Sequence, residues 1–191
     1  MTTATLNLNK FEVAERQLNQ AIQLFFDEGD PISIHTLAEA AAQVLYDIRE
    51  EFGANSLTRD SDRIWPEFKK EWLASLFSSR NFFKHADRDP KAVHEFKEEF
   101  NRFSIMDAVN MYLTAKRSWS PESIVLLLWF CTMYPKAIRK ENEVVDLLNR
   151  YRAIAPSDEQ LQRQIASRAI RELHQQSRSI ASIILDNGLK R

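Results

Sequence analysis

The stretch that decides the fold is residues 10–52, KFEVAERQLNQAIQLFFDEGDPISIHTLAEAAAQVLYDIREEF. In its first half Phe11, Ala14, Leu18, Ala21, Ile22 and Phe25 recur at steps of three and four. That spacing predicts a helix over 10–27 with these residues on one face. Gly29-Asp30-Pro31 then stops one helix and starts the next. Gly suits the C′ position, Asp the N-cap and Pro the first helical position. Beyond it Ile34, Leu37, Ala38, Ala41, Leu45 and Ile48 form a second stripe, running to Phe52. Its small alanines let a partner helix approach closely. His35, Ala42 and Tyr46 lie along the edge of this stripe, with Glu39 one turn beyond His35.

The same reading extends to the rest of the chain. A polar loop from Gly53 to Ile64 leads to a third helix near Pro66, with Phe68, Trp72 and Leu76 on one face. This helix is read as continuous through Ser78-Ser79. A separate helix from Arg80 would have to end before Asp89-Pro90, too short to stand unaided. Asp89-Pro90 repeats the cap-then-proline signal and opens a fourth stripe, Val93, Phe96, Phe100 and Phe103. Ser104 with Asp107 resembles a capping box for a helix to Lys116. Ser120-Pro121 opens an apolar helix that closes near Tyr134-Pro135, and Val144, Val145, Leu148 and Tyr151 mark another. Ser157 with Gln160 opens the last and longest helix. Leu161, Ile165, Ala169, Leu173, Ile180 and Ile184 carry it to Asn187-Gly188. No segment alternates as a strand would. The fold class is all-α: a single-domain multi-helix bundle of seven or eight helices over residues 1–191, with room for a sub-boundary near 104 or 120.

Composition bounds the function. The chain has 191 residues, 44% of them hydrophobic, with three Gly and six Pro. That supports one core and argues against a turn-rich β fold. MTTATLNLNK lacks the pattern of a secretory signal. The longest apolar run, Ile124 to Cys131, falls well short of the roughly 20 residues that span a bilayer. A membrane partner is not expected. Cys131 is the single cysteine, which excludes an intrachain disulfide and points to a reducing, cytoplasmic setting. Net charge is −1, with residues 1–109 at −6 and residues 110–191 at +5. The half with the densest polar cluster is therefore acidic, unlike a nucleic-acid footprint.

That cluster lies in residues 65–94, WPEFKKEWLASLFSSRNFFKHADRDPKAVH. It supplies the candidate residues. His85, Asn81 and the loop with Asp87 and Asp89 are expected to form one hydrogen-bonded unit at the end of the third helix. Antiparallel packing of the second and third helices would bring His35 and His85 to one rim. Free backbone N–H groups at the second helix's start, together with Lys84, would suit a carboxylate, a phosphate or an RNA phosphate there. His85, Asp87, Asp89 and His94 crowd in sequence, but there is no His-Glu-x-x-His or Glu-x-x-His. Neither a metal nor a cofactor is expected. No Gly-x-Ser-x-Gly and no Gly-rich phosphate loop occurs.

RNFFKH, Arg80 to His85, resembles the Arg-x4-6-His motif of the HEPN superfamily, in which a polar residue often follows the Arg. Active HEPN members are metal-independent ribonucleases that work as dimers. The resemblance implies a catalytic set: Arg80 on a phosphate, His85 on the proton of an attacking ribose 2′-hydroxyl, and Asn81 orienting it. It also implies a homo-oligomer. The loose spacing recurs at Arg88 to His94 and at Arg168 to His174. Five positions on a helix turn about 140°, so Arg80 and His85 do not share a face while Asn81 and His85 do. GDPISIHTLAEAA and NFFKHADRDP are also similar to segments of short, all-helical bacterial proteins of uncharacterised function, in which Arg need not precede the Asn. These readings leave a binding or interaction module, with a polar cleft at His35 and His85, beside the ribonuclease alternative.

Overall fold

A computed structural model of the chain describes residues 5–62, 64–85, 87, 89–116, 118–137 and 145–175. Among them there are nine α-helices and no strand, so the all-α class holds. Eight of the nine have seven residues or more. The chain divides into two compact units, residues 1–21 with 30–117 and residues 22–29 with 118–191.

In the first unit, α1 (Lys10–Phe26, up to Ala21) starts at a reciprocal cap. The Glu12 N–H bonds Asn9 Oδ1 at 2.9 Å, and the Asn9 N–H bonds Glu12 Oε2 at 2.8 Å. The helix α2 (Pro31–Asp47) begins as its sequence dictates, with Asp30 accepting from the Ser33 N–H at 2.7 Å and Pro31 in the first turn. It buries Ile34, Ala38, Ala41, Ala42 and Leu45 and lies mainly against α6 (Asn101–Lys116), where Ile105, Ala108, Val109 and Met111 are buried. The predicted run to Phe52 breaks at Ile48, and a short α3 (Arg49–Phe52) follows. Gly53 ends α3 at φ +67°, a left-handed geometry that favours glycine.

Three expectations fail in this unit. The third helix is not continuous. A 3₁₀ turn at Pro66–Phe68 leads into α4 (Lys69–Leu76), and a break at Phe77 precedes α5 (Ser78–Lys84). The short α5 is supported by its contact with α2. There is no fourth stripe at 93–103. Asp89 accepts from the Ala92 N–H in a turn, and residues 92–97 run extended. Their period is two, with His94 and Phe96 turned in while Val93, 98% exposed, Glu95 and Lys97 face solvent. Finally, Ser104 lies inside α6, and Asp107 caps nothing in its own helix. Its buried carboxylate accepts from the Ser56 hydroxyl at 2.7 Å, from the N–H groups of Leu57 and Thr58, and from the Thr58 hydroxyl at 3.0 Å. It therefore fastens the loop after α3 to α6.

In the second unit, the end of α1 closes with Glu28 at φ +55° and a Gly29 N–H bond to the Leu24 carbonyl at 2.8 Å. The left-handed residue is thus Glu28. Gly29 is needed for close approach, since a Cβ there would sit 2.9 Å from Leu24 Cδ2 and 3.3 Å from its carbonyl oxygen. The helix α7 (Pro121–Met133) opens with a capping box of Ser120 and Ser123 and packs against α8 (Val145–Ile154) and α9 (Glu159–Gln175). Trp129 meets Phe25 and Phe26 edge to face at 5.1 and 5.8 Å. Asp158, not Ser157, caps α9, accepting from the Leu161 N–H at 2.7 Å. The buried face of α9 is Gln162, Ala166, Ser167 and Ile170, while Leu161 and Ile165 are exposed. Polar groups win that face because they are bonded: Gln162 donates to the Pro156 carbonyl and Ser167 to Asp27. Val144 and the predicted helix end at Ile180 to Gly188 lie outside the described residues.

Candidate functional site

The first unit holds a cavity of about 640 Å³. Its walls are Trp72, Leu76, Phe77, Phe96, Phe100 and Phe103. Trp72, Phe100 and Phe103 are also exposed, so the cavity opens to solvent between α4 and the start of α6. His35, Glu39, Arg59 and Asp107 form the buried part of its polar lining, each at least nine-tenths buried, and the exposed Glu95 and Lys97 add charge of both signs at its mouth.

The sequence puts His35 and Glu39 there because they stand four residues apart on one face of α2. His35 is 3% exposed. Its ring meets Phe83 at 5.5 Å and Phe96 at 5.1 Å between centroids, both edge to face. Nδ1 lies 3.1 Å from Asn101 Oδ1. The Asn101 amide donates its Nδ2–H to the Pro31 carbonyl at 2.9 Å, which fixes its oxygen toward His35. An amide oxygen only accepts, so Nδ1 carries the hydrogen and Nε2 the lone pair. Burial lowers the imidazole's pKa; Glu39 and the Asn101 bond oppose that shift, while Arg80 and His94 reinforce it. His35 is therefore neutral at neutral pH, and its buried Nε2 has no hydrogen-bond partner.

Glu39 is 4% exposed, and its Oε2 lies 3.6 Å from Arg59 Nη2 without a hydrogen bond. Arg59 lies over the rings of Tyr46 and Phe77, at 5.0 and 4.8 Å. Arg80 also lies over Phe77, at 4.0 Å. Both guanidiniums donate to one acceptor, Gln43 Oε1, at 3.0 Å from Arg59 and 2.7 Å from Arg80. Burial lowers Arg80's pKa, Glu39 opposing and Arg59 adding to it.

The structure separates the residues that the sequence groups. Arg80 turns to α2, while Asn81, Lys84, Asp87 and Asp89 are exposed. His85 ends α5 and does not line the cavity. Among the described residues, no side-chain hydrogen bond joins His85, Asn81, Asp87 and Asp89. Their one link is the backbone bond from the His85 N–H to the Asn81 carbonyl. The expected polar unit is absent because α5 ends there and Asp87 and Asp89 are exposed. The partner of His35 in space is His94, which stacks on Phe82 at 5.0 Å, bonds Ser79 Oγ at 2.8 Å and meets the same Phe83 ring. The start of α2 has Asp30's carboxylate on it, held below its ordinary pKa by Ser33, so an anion there would meet a negative charge. Sequence reading passes over Arg59, Asn101 and Asp107 as parts of the site. The one available signal was the four-residue step from His35 to Glu39.

Among the described residues, no group of three His, Cys, Asp or Glu could hold a metal ion. No helix among them is long and apolar enough to cross a membrane. Compared with protein-family models, curated proteins and solved structures, the chain has no match.

Proposed function

We propose that the chain is a cytosolic binding module that takes a small, ring-bearing molecule into the cavity of its first unit. The observation that carries this reading is the combination of aromatic walls with a buried, unpartnered His35 Nε2 at the polar end. A volume of about 640 Å³ lies within the range of ligand pockets. Cys131 supports the compartment: it is a buried thiol whose pKa burial pushes up to about 11, inert toward ordinary oxidation chemistry. The HEPN-type ribonuclease reading has less support. It asks Arg80 and His85 to converge on a phosphate, whereas Arg80 is engaged by Gln43 and Phe77 and His85 stands outside the cavity.

The test is an NMR titration of ¹⁵N-labelled protein with indole, benzene and naphthalene. Trp72 is a built-in reporter, since its indole N–H donates to the Thr58 carbonyl at 2.9 Å. Saturable shifts of the Trp72 indole signal and of residues 95–104 are expected, with Trp129 unmoved. No saturable shift from any probe, or shifts scattered over the whole chain, would contradict the reading. Metal-independent cleavage of single-stranded RNA that disappears in both Arg80→Ala and His85→Ala would favour the ribonuclease instead.

A further inference from the structure

The charged side chains of the cavity narrow the chemistry of its ligand. Among the described residues five line it: Glu39, Arg59, Glu95, Lys97 and Asp107. Three of them are buried and engaged. Glu39 faces Arg59 at 3.6 Å, and the Asp107 carboxylate is met by four hydrogen-bond donors. The other two, Glu95 and Lys97, are exposed, and their one ion-pair contact is the long one with each other, at 4.0 Å. The charges open to a ligand are therefore one carboxylate and one ammonium, both at the mouth.

The chain places this pair beside the rings. Residues 92–97 run extended, so Glu95 and Lys97 leave the same side of the backbone while Phe96, between them, turns inward. Phe96 is a wall of the cavity, held by edge-to-face contacts with His35 at 5.1 Å and Phe83 at 5.4 Å. A ligand head of one sign would be drawn to one of the flanking charges and repelled by the other. A head with both signs is drawn to both, and at the mouth it stays in water and avoids the cost of burying a charge. In an α-amino acid the two signs sit on one carbon, which suits a pair only 4.0 Å apart. The ring walls ask for a flat apolar body behind that head. Resting on the binding reading above, we infer that the ligand is an aromatic α-amino acid, with its ring in the cavity, its ammonium on Glu95 and its carboxylate on Lys97.

NMR titration of the full ¹⁵N-labelled chain with four probes tests this. L-tryptophan carries both charges, tryptamine the cation alone, indole-3-propionate the anion alone and indole neither. At low salt L-tryptophan is expected to bind about fivefold more tightly than either singly charged probe, the scale of exposed charge contacts. Salt at about 1 M is expected to remove most of that lead. Two variants at exposed positions assign the contacts. Glu95→Gln is expected to weaken L-tryptophan and tryptamine but not indole-3-propionate. Lys97→Gln is expected to weaken L-tryptophan and indole-3-propionate but not tryptamine. Equal affinity for L-tryptophan and indole, or variants without this crossed pattern, would overturn the head-group contacts while leaving the binding reading intact. A lead for tryptamine or indole-3-propionate over L-tryptophan would overturn the ligand of both signs. No binding by any probe would remove the binding reading itself.

Discussion

His35 carries most of what is distinctive here, and its placement has a cost that pH exposes. Burial is the main cause that pulls its pKa below the ordinary 6.5, with Glu39 and Asn101 acting against it. The folded state thus disfavours the imidazolium more than the unfolded state does. Above pH 6.5 both states are neutral and His35 adds no pH dependence. As pH falls through 6.5, the unfolded chain takes up the proton first and folding loses stability. The loss stops growing once the pH passes the lowered folded value. Thermal unfolding from pH 8 to pH 5 is expected to show the wild type losing stability relative to His35→Gln below pH 6.5. Parallel curves for the two proteins would mean that His35 is not held neutral by its surroundings. Asp107 shows a different use of a buried polar group. Four donors from Ser56, Leu57 and Thr58 surround its carboxylate, so it sets the loop that brings Arg59 beside Glu39.

Among the elements, α7 makes the sharpest claim. It is apolar around most of its circumference, which suits a helix packed on several sides. Its leucines nevertheless differ. Leu126 is fully buried, whereas Leu127 and Leu128 are half-buried. Leu126→Ala is expected to cost about 2–5 kcal/mol and Leu127→Ala clearly less, measured by chemical denaturation. Equal costs would place the core of this unit elsewhere. The same helix holds Glu122, buried and accepting from Gln23 at 2.9 Å and from the exposed-edge His174 at 2.7 Å, a polar pair that no hydrophobic periodicity announces. This marks where the sequence was legible. Elements with strong local signals came through: Asp30-Pro31 at α2, Ser120-Pro121 at α7, and the stripe of α1. Boundaries decided by tertiary contacts did not. Phe96 and His94 packed as an extended pair because α5 offered them Phe82 and Phe83, and the aromatic spacing at 93–103 imitated a helix. The site was half legible. His35 was visible as an edge residue, but Arg59, Asn101 and Asp107 join it only through the fold, from separate stretches of chain.

At the scale of the whole molecule, the two units divide the work unevenly. The second unit's described interior is aromatic and aliphatic packing around Trp129, with the buried Ser167 bonded to Asp27. The first unit has the cavity, with the exposed rings of Trp72, Phe100 and Phe103 on its walls and His35 in its lining. The binding we propose would belong to the first unit, and it would couple to stability by mass action: a ligand that binds only the folded state raises the melting temperature steadily with its concentration. Ser75 gives a way to close the site without touching its polar end, since it lines the cavity from the exposed side of α4. The decisive measurement is the melting temperature of the wild type and of Ser75→Trp across a concentration series of indole. The expected result is a continuous rise for the wild type and a flat response for Ser75→Trp. Equal rises in both proteins, or none in the wild type, would contradict the account of the cavity as a binding site.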